Sequence, residues 1–174
     1  SGVNRTLQIT PNANAFGSSV ITITADDGVD VSTHVINVTV TPDNDLPTVS
    51  PLSNITIDED TATGLISFTI GDVETPSGDL NVTVTSSNQS LLLNSGIVQG
   101  GSGSNRTIQL TPNENAFGTT TITVSVDDGT DTTSQAFQLT VNAVDDAPTF
   151  GNVSNISFNE DVTGVLNFTV DDID

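Results

Sequence analysis

The sequence contains no Cys, Met, Trp, Tyr or Lys, and its only strong cations are Arg5 and Arg106. Without cysteine no disulfide can hold the fold, and with one histidine, His34, the N- and S-ligand sites that zinc and copper prefer cannot form. The formal net charge is -20 at pH 7, so phosphate backbones and anionic lipid surfaces repel the chain. We expect neither nucleic-acid binding nor membrane insertion of this segment.

Residues suited to catalysis are equally scarce. His34 is the only candidate general base near neutral pH, and its copy in the internal repeat described below is Gln135. The paired carboxylates occupy turns and linkers rather than a cleft, and no glycine-rich phosphate loop precedes a helix. The sequence therefore predicts that the protein is not an enzyme.

The chain contains an internal repeat with a period of 101 residues. Shifting residues 1–60 onto 102–161 needs no gap and leaves 29 of 60 positions identical, so the two stretches should share one fold. Each repeat ends in an acidic linker closed by a proline, Pro47 or Pro148, which ends one folded unit and starts the next. We predict a partial repeat over 1–45, a complete repeat over 46–146 and a further partial repeat over 147–174.

Apolar residues alternate with hydroxyl residues along the best-defined strands. Ile21, Ile23 and Ala25 form one face of the first such strand, and the copy carries Ile122, Val124 and Val126. Further strands are expected at about 53–58, 64–70, 80–86, 97–99, 107–111 and 137–141. Seven short strands per repeat and no helical period predict an all-β fold, a β-sandwich in tandem.

Two other residues in each repeat invite a structural interpretation. Phe117, the copy of Phe16, follows a Thr-Pro-Asn turn and is expected to plug the end of the core. Arg5 and Arg106 occupy equivalent positions and are expected to pair with neighbouring carboxylates.

The acidic residues cluster in turns and linkers. They fall in both linkers, in Asp26-Asp27-Gly28 and Asp127-Asp128-Gly129, in Glu59-Asp60 and Glu160-Asp161, and in Asp72-Val73-Glu74 and Asp172-Ile173-Asp174. Hard oxygen ligands at such spacing suit Ca2+, which takes six to eight oxygens in irregular geometry. The simpler alternative is that they only form turns and keep the surface soluble.

These motifs resemble the cadherin-like tandem repeat domains of large bacterial surface adhesins. Asp43-Asn44-Asp45-Leu46-Pro47 is similar to the Asp-x-Asn-Asp-x-x-Pro linker of that family, and Asp72 with Glu74 looks like its Asp-x-Asp pair. Glu59 resembles its first-strand glutamate. The resemblance implies tandem Greek-key β-sandwiches, cadherin- or immunoglobulin-like, with Ca2+ between successive domains.

The resemblance and the repeat together predict two calcium sites. The first junction would use Asp43, Asn44, Asp45, Asp72, Glu74, Asp127 and Asp128. The second would use Glu59, Asp60, Glu114, Asp145, Asp146, Asp172 and Asp174. Asn12-Ala13-Asn14 and Val144 stand where the family has acidic residues, so we expect either junction to bind fewer ions than the family's usual number.

The sequence therefore indicates a calcium-binding extender of a long extracellular adhesin, with neighbouring repeats as its partners. The alternative is a self-assembling extracellular filament in which residues 147–174 complete a neighbouring copy by strand donation. Nine Asn-x-Ser/Thr sequons leave glycosylation open: Asn4, Asn37, Asn54, Asn81, Asn88, Asn105, Asn152, Asn155 and Asn167. A strand with Asn and Thr on its solvent face and Val on its core face would have the same motif without any glycan.

Overall fold

The computed structural model describes residues 2–172, and within them the secondary structure is twelve β-strands and one 3-10 turn. The first strands are β1 Gly17–Asp26, β2 Val31–Val40, β3 Thr48–Val49, β4 Ile55–Asp58, β5 Ile66–Gly71 and β6 Asn81–Ser86. After the 3-10 turn Asn94–Gly96 come β7 Ile97–Ser102, β8 Asn105–Leu110, β9 Gly118–Asp127, β10 Thr132–Asn142, β11 Thr149–Phe150 and β12 Val170–Asp171. No helix in the described part of the chain is long and apolar enough to cross a membrane.

The central repeat folds into two four-stranded sheets. One sheet has the order β3-β5-β8-β7 and the other has the order β4-β10-β9-β6. Neighbours within them pair antiparallel, except that β4 runs parallel to β10. Most consecutive strands cross between the sheets, as in a Greek-key sandwich, whereas β7–β8 and β9–β10 are hairpins within one sheet. The predicted all-β sandwich is confirmed; the strand expected at about 53–58 corresponds to β4, and β3, which lies in the opposite sheet, was not predicted.

The inward residues of both sheets form one core. Ile122, Val124 and Val126 of β9 are fully buried, as their alternation predicts, and they pack with Ile108 and Leu110 of β8. Aliphatic side chains buried this way contribute about 1.5–3 kcal/mol each relative to exposure. This core holds the loops at the two ends of the sandwich, where the acidic residues lie.

The strands of the flanking partial repeats lie in sheets of only two strands. β1 pairs with β2 over ten residues, and β11 pairs with β12 over two. Since no second sheet covers β1–β2 among the described residues, Ile23 is 42% exposed, whereas its copy Val124 is fully buried. The predicted burial of one strand face therefore holds in the central repeat and not in the first.

Two residue predictions are wrong. Phe117 is 54% exposed because it lies at the rim just before β9, while neighbouring Ala116 packs against the core. Within residues 2–172, Arg106 does not pair with a carboxylate. Its Nη2 donates to the carbonyl oxygen of Ser77 at 3.0 Å, and its Nε is buried without a hydrogen-bond partner in the described structure.

Candidate functional site

The first linker is held against the central sandwich by an asparagine side chain. Asn44 Nδ2 donates to Asp128 Oδ2 at 3.1 Å and to Asp131 Oδ2 at 3.0 Å. Both carboxylates belong to the turn between β9 and β10, 84 and 87 residues further along the chain. The structure thus brings Asn44 and Asp128 together, as predicted, and adds Asp131. The sequence signal for Asp131 was its copy Asp30 in the repeated Asp-Asp-Gly-x-Asp motif.

The loop after β5 holds the same linker from a second direction. Glu74 Oε2 accepts the backbone N–H of Asp45 at 3.0 Å. Asp72 Oδ1 accepts the N–H groups of Glu74 and Thr75 at 3.0 and 2.6 Å, which fixes the loop in an Asx-type turn. Its second oxygen, Oδ2, is buried without a hydrogen-bond partner among the described residues. A buried carboxylate oxygen without a donor is a position where a cation would be stabilising.

The turn between β9 and β10 is built around its own carboxylates. Asp127 Oδ1 accepts the N–H of Gly129 at 2.9 Å, and its Oδ2 accepts the hydroxyl of Thr132 at 2.6 Å. Asp128 Oδ1 accepts the N–H groups of Thr130 and Asp131, each at 2.7 Å. Gly129 closes the turn at a φ of 97°, in the left-handed region that favours glycine.

These backbone bonds stabilise the ionised form of Asp128. Donation from the N–H of Asp131, then of Thr130, holds the pKa of Asp128 below its ordinary value, against a weaker opposing effect of desolvation. The same bonds from Asp30 and Val29 lower the pKa of Asp27 in the turn between β1 and β2. The acidic residues here do form turns, whatever else they bind.

A cavity of about 250 Å³ lies at the first junction. It is lined from both sides, by the Thr-Pro-Asn turn of the first repeat and by Glu74 of the central repeat. Its polar lining side chains are Asn12, Asn14, Thr41, Asp43, Asn44, Asp45 and Glu74. Every oxygen they offer is a carboxylate, amide or hydroxyl oxygen, the donor set that Ca2+ prefers over softer metals.

No ready-made metal cluster is present in residues 2–172, since no three Asp, Glu or His side chains converge there as ligands would. The first-junction residues are neighbours, but several of their oxygens point at N–H groups. Ion binding at this junction would therefore need side-chain rotation, with Asn44 turning its amide oxygen inward. The donor types fit calcium, and the arrangement is not closed around an ion.

At the second junction Glu59 is the most deeply placed of the predicted residues. It is 5% exposed, and its Oε1 accepts the N–H of Val144 in the linker at 2.7 Å. Asp60, at a φ of 58°, accepts the N–H of Asn115 on Oδ1 at 2.9 Å. Glu59 therefore contacts the start of the second linker, and Asp60 contacts the turn before β9.

The other residues predicted for the second junction are more open to solvent. Glu114, Asp145 and Asp172 are exposed, and Asp146 is partly buried. Asp174 lies outside the described residues. The gathering of the second set around one ion therefore stays a prediction.

Most sequon asparagines point outward, although two have structural partners. Asn81 and Asn105 are exposed. Asn54 Oδ1 accepts the N–H of Gln138 at 2.8 Å. Asn88 is half-buried, and its Oδ1 accepts the hydroxyl of Ser90 at 2.6 Å.

A protein-family model described as bacterial Ig domain matches residues 44–142, more than half of the chain. Among solved structures, the chain is similar to titin domain M7 at 12% identity and a TM-score of 0.45, covering 59% of this chain and 100% of that one. It is similar to domains 1–6 of the surface layer protein SbsC at 18% identity and a TM-score of 0.45, covering 90% of this chain and 25% of that one.

A third similar structure is an endo-fucoidan hydrolase from glycoside hydrolase family 107, at 23% identity and a TM-score of 0.43, covering 77% of this chain. The chain spans 20% of the length of that hydrolase. These low similarities imply nothing about activity, substrate or assembly. Comparison with curated proteins found no match.

Proposed function

Because the chain belongs to the bacterial Ig domain family, we propose that it is a non-enzymatic repeat segment of a long extracellular surface protein, whose acidic junctions bind calcium. Binding stiffens the array. The cadherin-like adhesin character that the linker motifs suggest is part of this proposal. The segment acts as a spacer that holds binding domains located elsewhere in the parent protein away from the cell.

The docking of the first linker supports this proposal most directly. Asn44 and Asp45 contact two separate loops of the central sandwich, through Asp128 and Asp131 on one side and Glu74 on the other. Anything that strengthens these contacts fixes the linker relative to the sandwich. Anything that weakens them frees it.

Charge makes such contacts dependent on a cation. Asp43, Asp45 and Glu74 line one cavity, with Asp72 beside Glu74 in the same loop. Four carboxylates so placed repel one another, by about 1 kcal/mol for each pair at 4 Å in water and by more at lower effective dielectric. Bound calcium supplies a divalent positive charge to this set. The chain supplies the oxygens and, through the Asx turn at Asp72, holds them near the linker.

Export would expose the junctions to enough calcium to fill their sites. Extracellular calcium modules bind at about 10⁻⁴ to 10⁻³ M, so external calcium fills such sites and cytosolic calcium does not. Because the ion binds the folded state, calcium at about 100 times its dissociation constant adds about 2.7 kcal/mol per independent site. The array stays flexible during synthesis and stiffens outside the cell.

The test compares the full chain in calcium and in chelator, by calorimetric melting and small-angle X-ray scattering. We expect a higher melting temperature and a larger maximum dimension in calcium. Asp72→Asn with Glu74→Gln should remove most of the response of the first junction. Asp79→Asn is the matched control, since it removes an exposed carboxylate from the same loop. Identical melting and scattering with calcium and chelator would overturn the calcium mechanism and leave the acidic turns as solubilising features.

Self-assembly by strand donation is the second candidate function. The uncovered β1–β2 sheet favours it, since Ile23, whose copy Val124 is buried in the core of the central repeat, is exposed there. Ordered polymers that form equally in calcium and chelator, and that disappear when residues 147–174 are deleted, would favour this candidate over the spacer. Intact-mass measurement on the native protein shows whether the sequons carry glycans in either case.

A further inference from the structure

One long part of this acidic chain contains no acidic residue. Residues 80–113 include no Asp or Glu, although the whole chain has 22 in 174 residues. The stretch spans β6, β7 and β8 completely. Residues 1–25, which include the copies of β8 and of most of β9, are free of acidic residues too. The central repeat therefore confines its acidic side chains to its two ends and to the β4 side.

The sheet order puts the acid-free stretch on one flank of the sandwich. β6 is the outer strand of one sheet, and β7 is the outer strand of the other. The opposite outer strands are β3 and β4, which have two and four residues. The flank formed by β6 and β7 thus combines the longer free strand edges with an uncharged surface.

The edge of β7 has few of the devices that keep free strand edges apart. Proteins protect edges with charged side chains, proline, bulges or very short strands. The strand Ile97–Ser102 has no charge and no proline, and all of its residues after Ile97 are exposed. Val98 is 60% exposed, and Gly100 and Gly101 leave the main chain uncovered by side chains.

We propose that the β7 edge pairs antiparallel with the β7 edge of a second copy of this chain, about a two-fold axis. The pairing would join two four-stranded sheets into one of eight strands, with the main-chain groups of β7 as hydrogen-bond partners. Val98 of each copy would lie over the glycine pair of the other. The proposed spacer is then also a lateral contact, and this contact does not depend on the calcium junctions.

Charge selects a second copy as the occupant. Two chains of formal net charge -20 repel wherever their acidic ends meet, so the acid-free flank is the surface on which they can approach. A partner with a strongly acidic or basic strand would lose the hydration of its charges against this uncharged edge. The flank of another copy brings no charge to the contact except the single Arg106 on β8.

A single strand pair is a small contact, but an array repeats it. Several repeats held in one chain raise the effective concentration of each further pairing to about the millimolar range. Weak pairing per domain therefore becomes stable lateral association between long arrays. Screening of the acidic ends by salt should strengthen it.

The absence of cysteine allows a direct test. Gln99→Cys places one thiol at the exposed middle of β7, close to the proposed two-fold axis, and Leu65→Cys places one at a site that is 72% exposed, next to β5 and two strands away from the β7 edge. A bismaleimide about 10 Å long still joins the two thiols if the register of the paired strands shifts by about three residues, at about 3.3 Å per residue. We expect about tenfold more cross-linked dimer from Gln99→Cys than from Leu65→Cys, because paired edges hold the thiols at millimolar effective concentration.

A second variant tests the edge itself. Val98→Asp in the Gln99→Cys background should reduce cross-linking to the Leu65→Cys level, because two acids would then face one edge. Leu65→Asp in the same background is the matched control and should leave cross-linking unchanged. Equal cross-linking from both thiol positions, or insensitivity to Val98→Asp with circular dichroism unchanged, would overturn the proposal. Because every sample is measured in chelator as well as calcium, failure here is separable from failure of the calcium mechanism.

Discussion

At the scale of single residues, burial separates two phenylalanines that look alike in the sequence. Phe137 in β10 is 3% exposed and belongs to the core, whereas Phe117 before β9 is 54% exposed. Alternation puts Phe137 on the inward face with Leu139 and Val141. Phe117 precedes the strand, so the sheet does not set the direction of its ring.

This difference predicts unequal costs of truncation. Phe137→Ala should lower the free energy of unfolding by about 3–5 kcal/mol, since it leaves a cavity in a packed core. Phe117→Ala should cost less than about 1.5 kcal/mol, in proportion to its smaller buried area. Urea denaturation followed by circular dichroism measures both. Equal losses from the two variants would mean that Phe117 is covered in solution by a contact beyond those described.

Residue patterns predicted some of these positions and missed others for identifiable reasons. Ile122, Val124 and Val126 follow period two, so their burial was predictable. Arg106 shares its face with Ile108 and Leu110, and the same rule would have placed it inward instead of in a surface ion pair. The partners of Asn44 lie more than 80 residues away. The resemblance to cadherin-like repeats placed Asp128 in one set with Asn44, which spacing along the chain could not do, and Asp131 was missed.

At the scale of elements, the turn between β9 and β10 couples local structure to pH. Asp128 accepts hydrogen bonds from two backbone N–H groups. These bonds are stronger when the carboxyl group is ionised. Its pKa in the folded protein lies below the ordinary value of 3.8. A carboxyl with a lowered folded pKa contributes stability above its unfolded pKa and loses it as the pH falls through the folded pKa.

We therefore expect the stability of the wild-type chain to fall with acidification below about pH 4. Asp128→Asn keeps an oxygen that can accept the same bonds but cannot be protonated in this range. Its stability should be lower than wild type near neutral pH and should change less on acidification. Urea midpoints from about pH 6 to about pH 2 measure the two curves, and parallel curves would contradict the role given to Asp128.

Within the strands, the sequence predicted nearly every element of the central repeat, because alternation and turn residues agree there. It did not predict the split of the first strand between the sheets. β3 pairs with β5 and β4 pairs with β10, and the crossing point depends on how the two sheets pack. At the candidate site, turn residues and the family resemblance indicated which loops carry the acidic residues, whereas the hydrogen-bond partner of each oxygen depends on the packing of those loops.

At the scale of the whole molecule, the two junctions differ at the position of the repeat that docks the first linker. Asn44 in the first linker corresponds to Asp145 in the second. The Asn44 amide donates to two carboxylates. It therefore stabilises their negative charge, as a bound cation would. The first junction should therefore be partly docked without calcium, while the second should depend more on the ion.

Exchanging these residues tests the difference. Asn44→Asp removes the donor and adds a negative charge. In the unaltered chain the N–H of Asp45 donates to Glu74. We expect this N–H to exchange its hydrogen faster in the variant in chelator. A bond to a charged group is worth about 1.5–3 kcal/mol when buried and less at this exposed site. Calcium should restore protection. Asp145→Asn is the reciprocal variant and should reduce the calcium response of the second junction. Unchanged exchange at Asp45 in Asn44→Asp would show that the amide does not hold the linker.

The parallel pairing of β4 with β10 determines how the domain carries tension. β4 is near the start of the central repeat and β10 leads directly into the second linker. The two strands run in the same direction over four paired positions, from Ile55 with Leu139 to Asp58 with Asn142. A pull on the two linkers slides these strands past each other, so their bonds are loaded in shear and resist together instead of opening one by one. A tether built from such domains transmits force along its length while each sandwich stays closed.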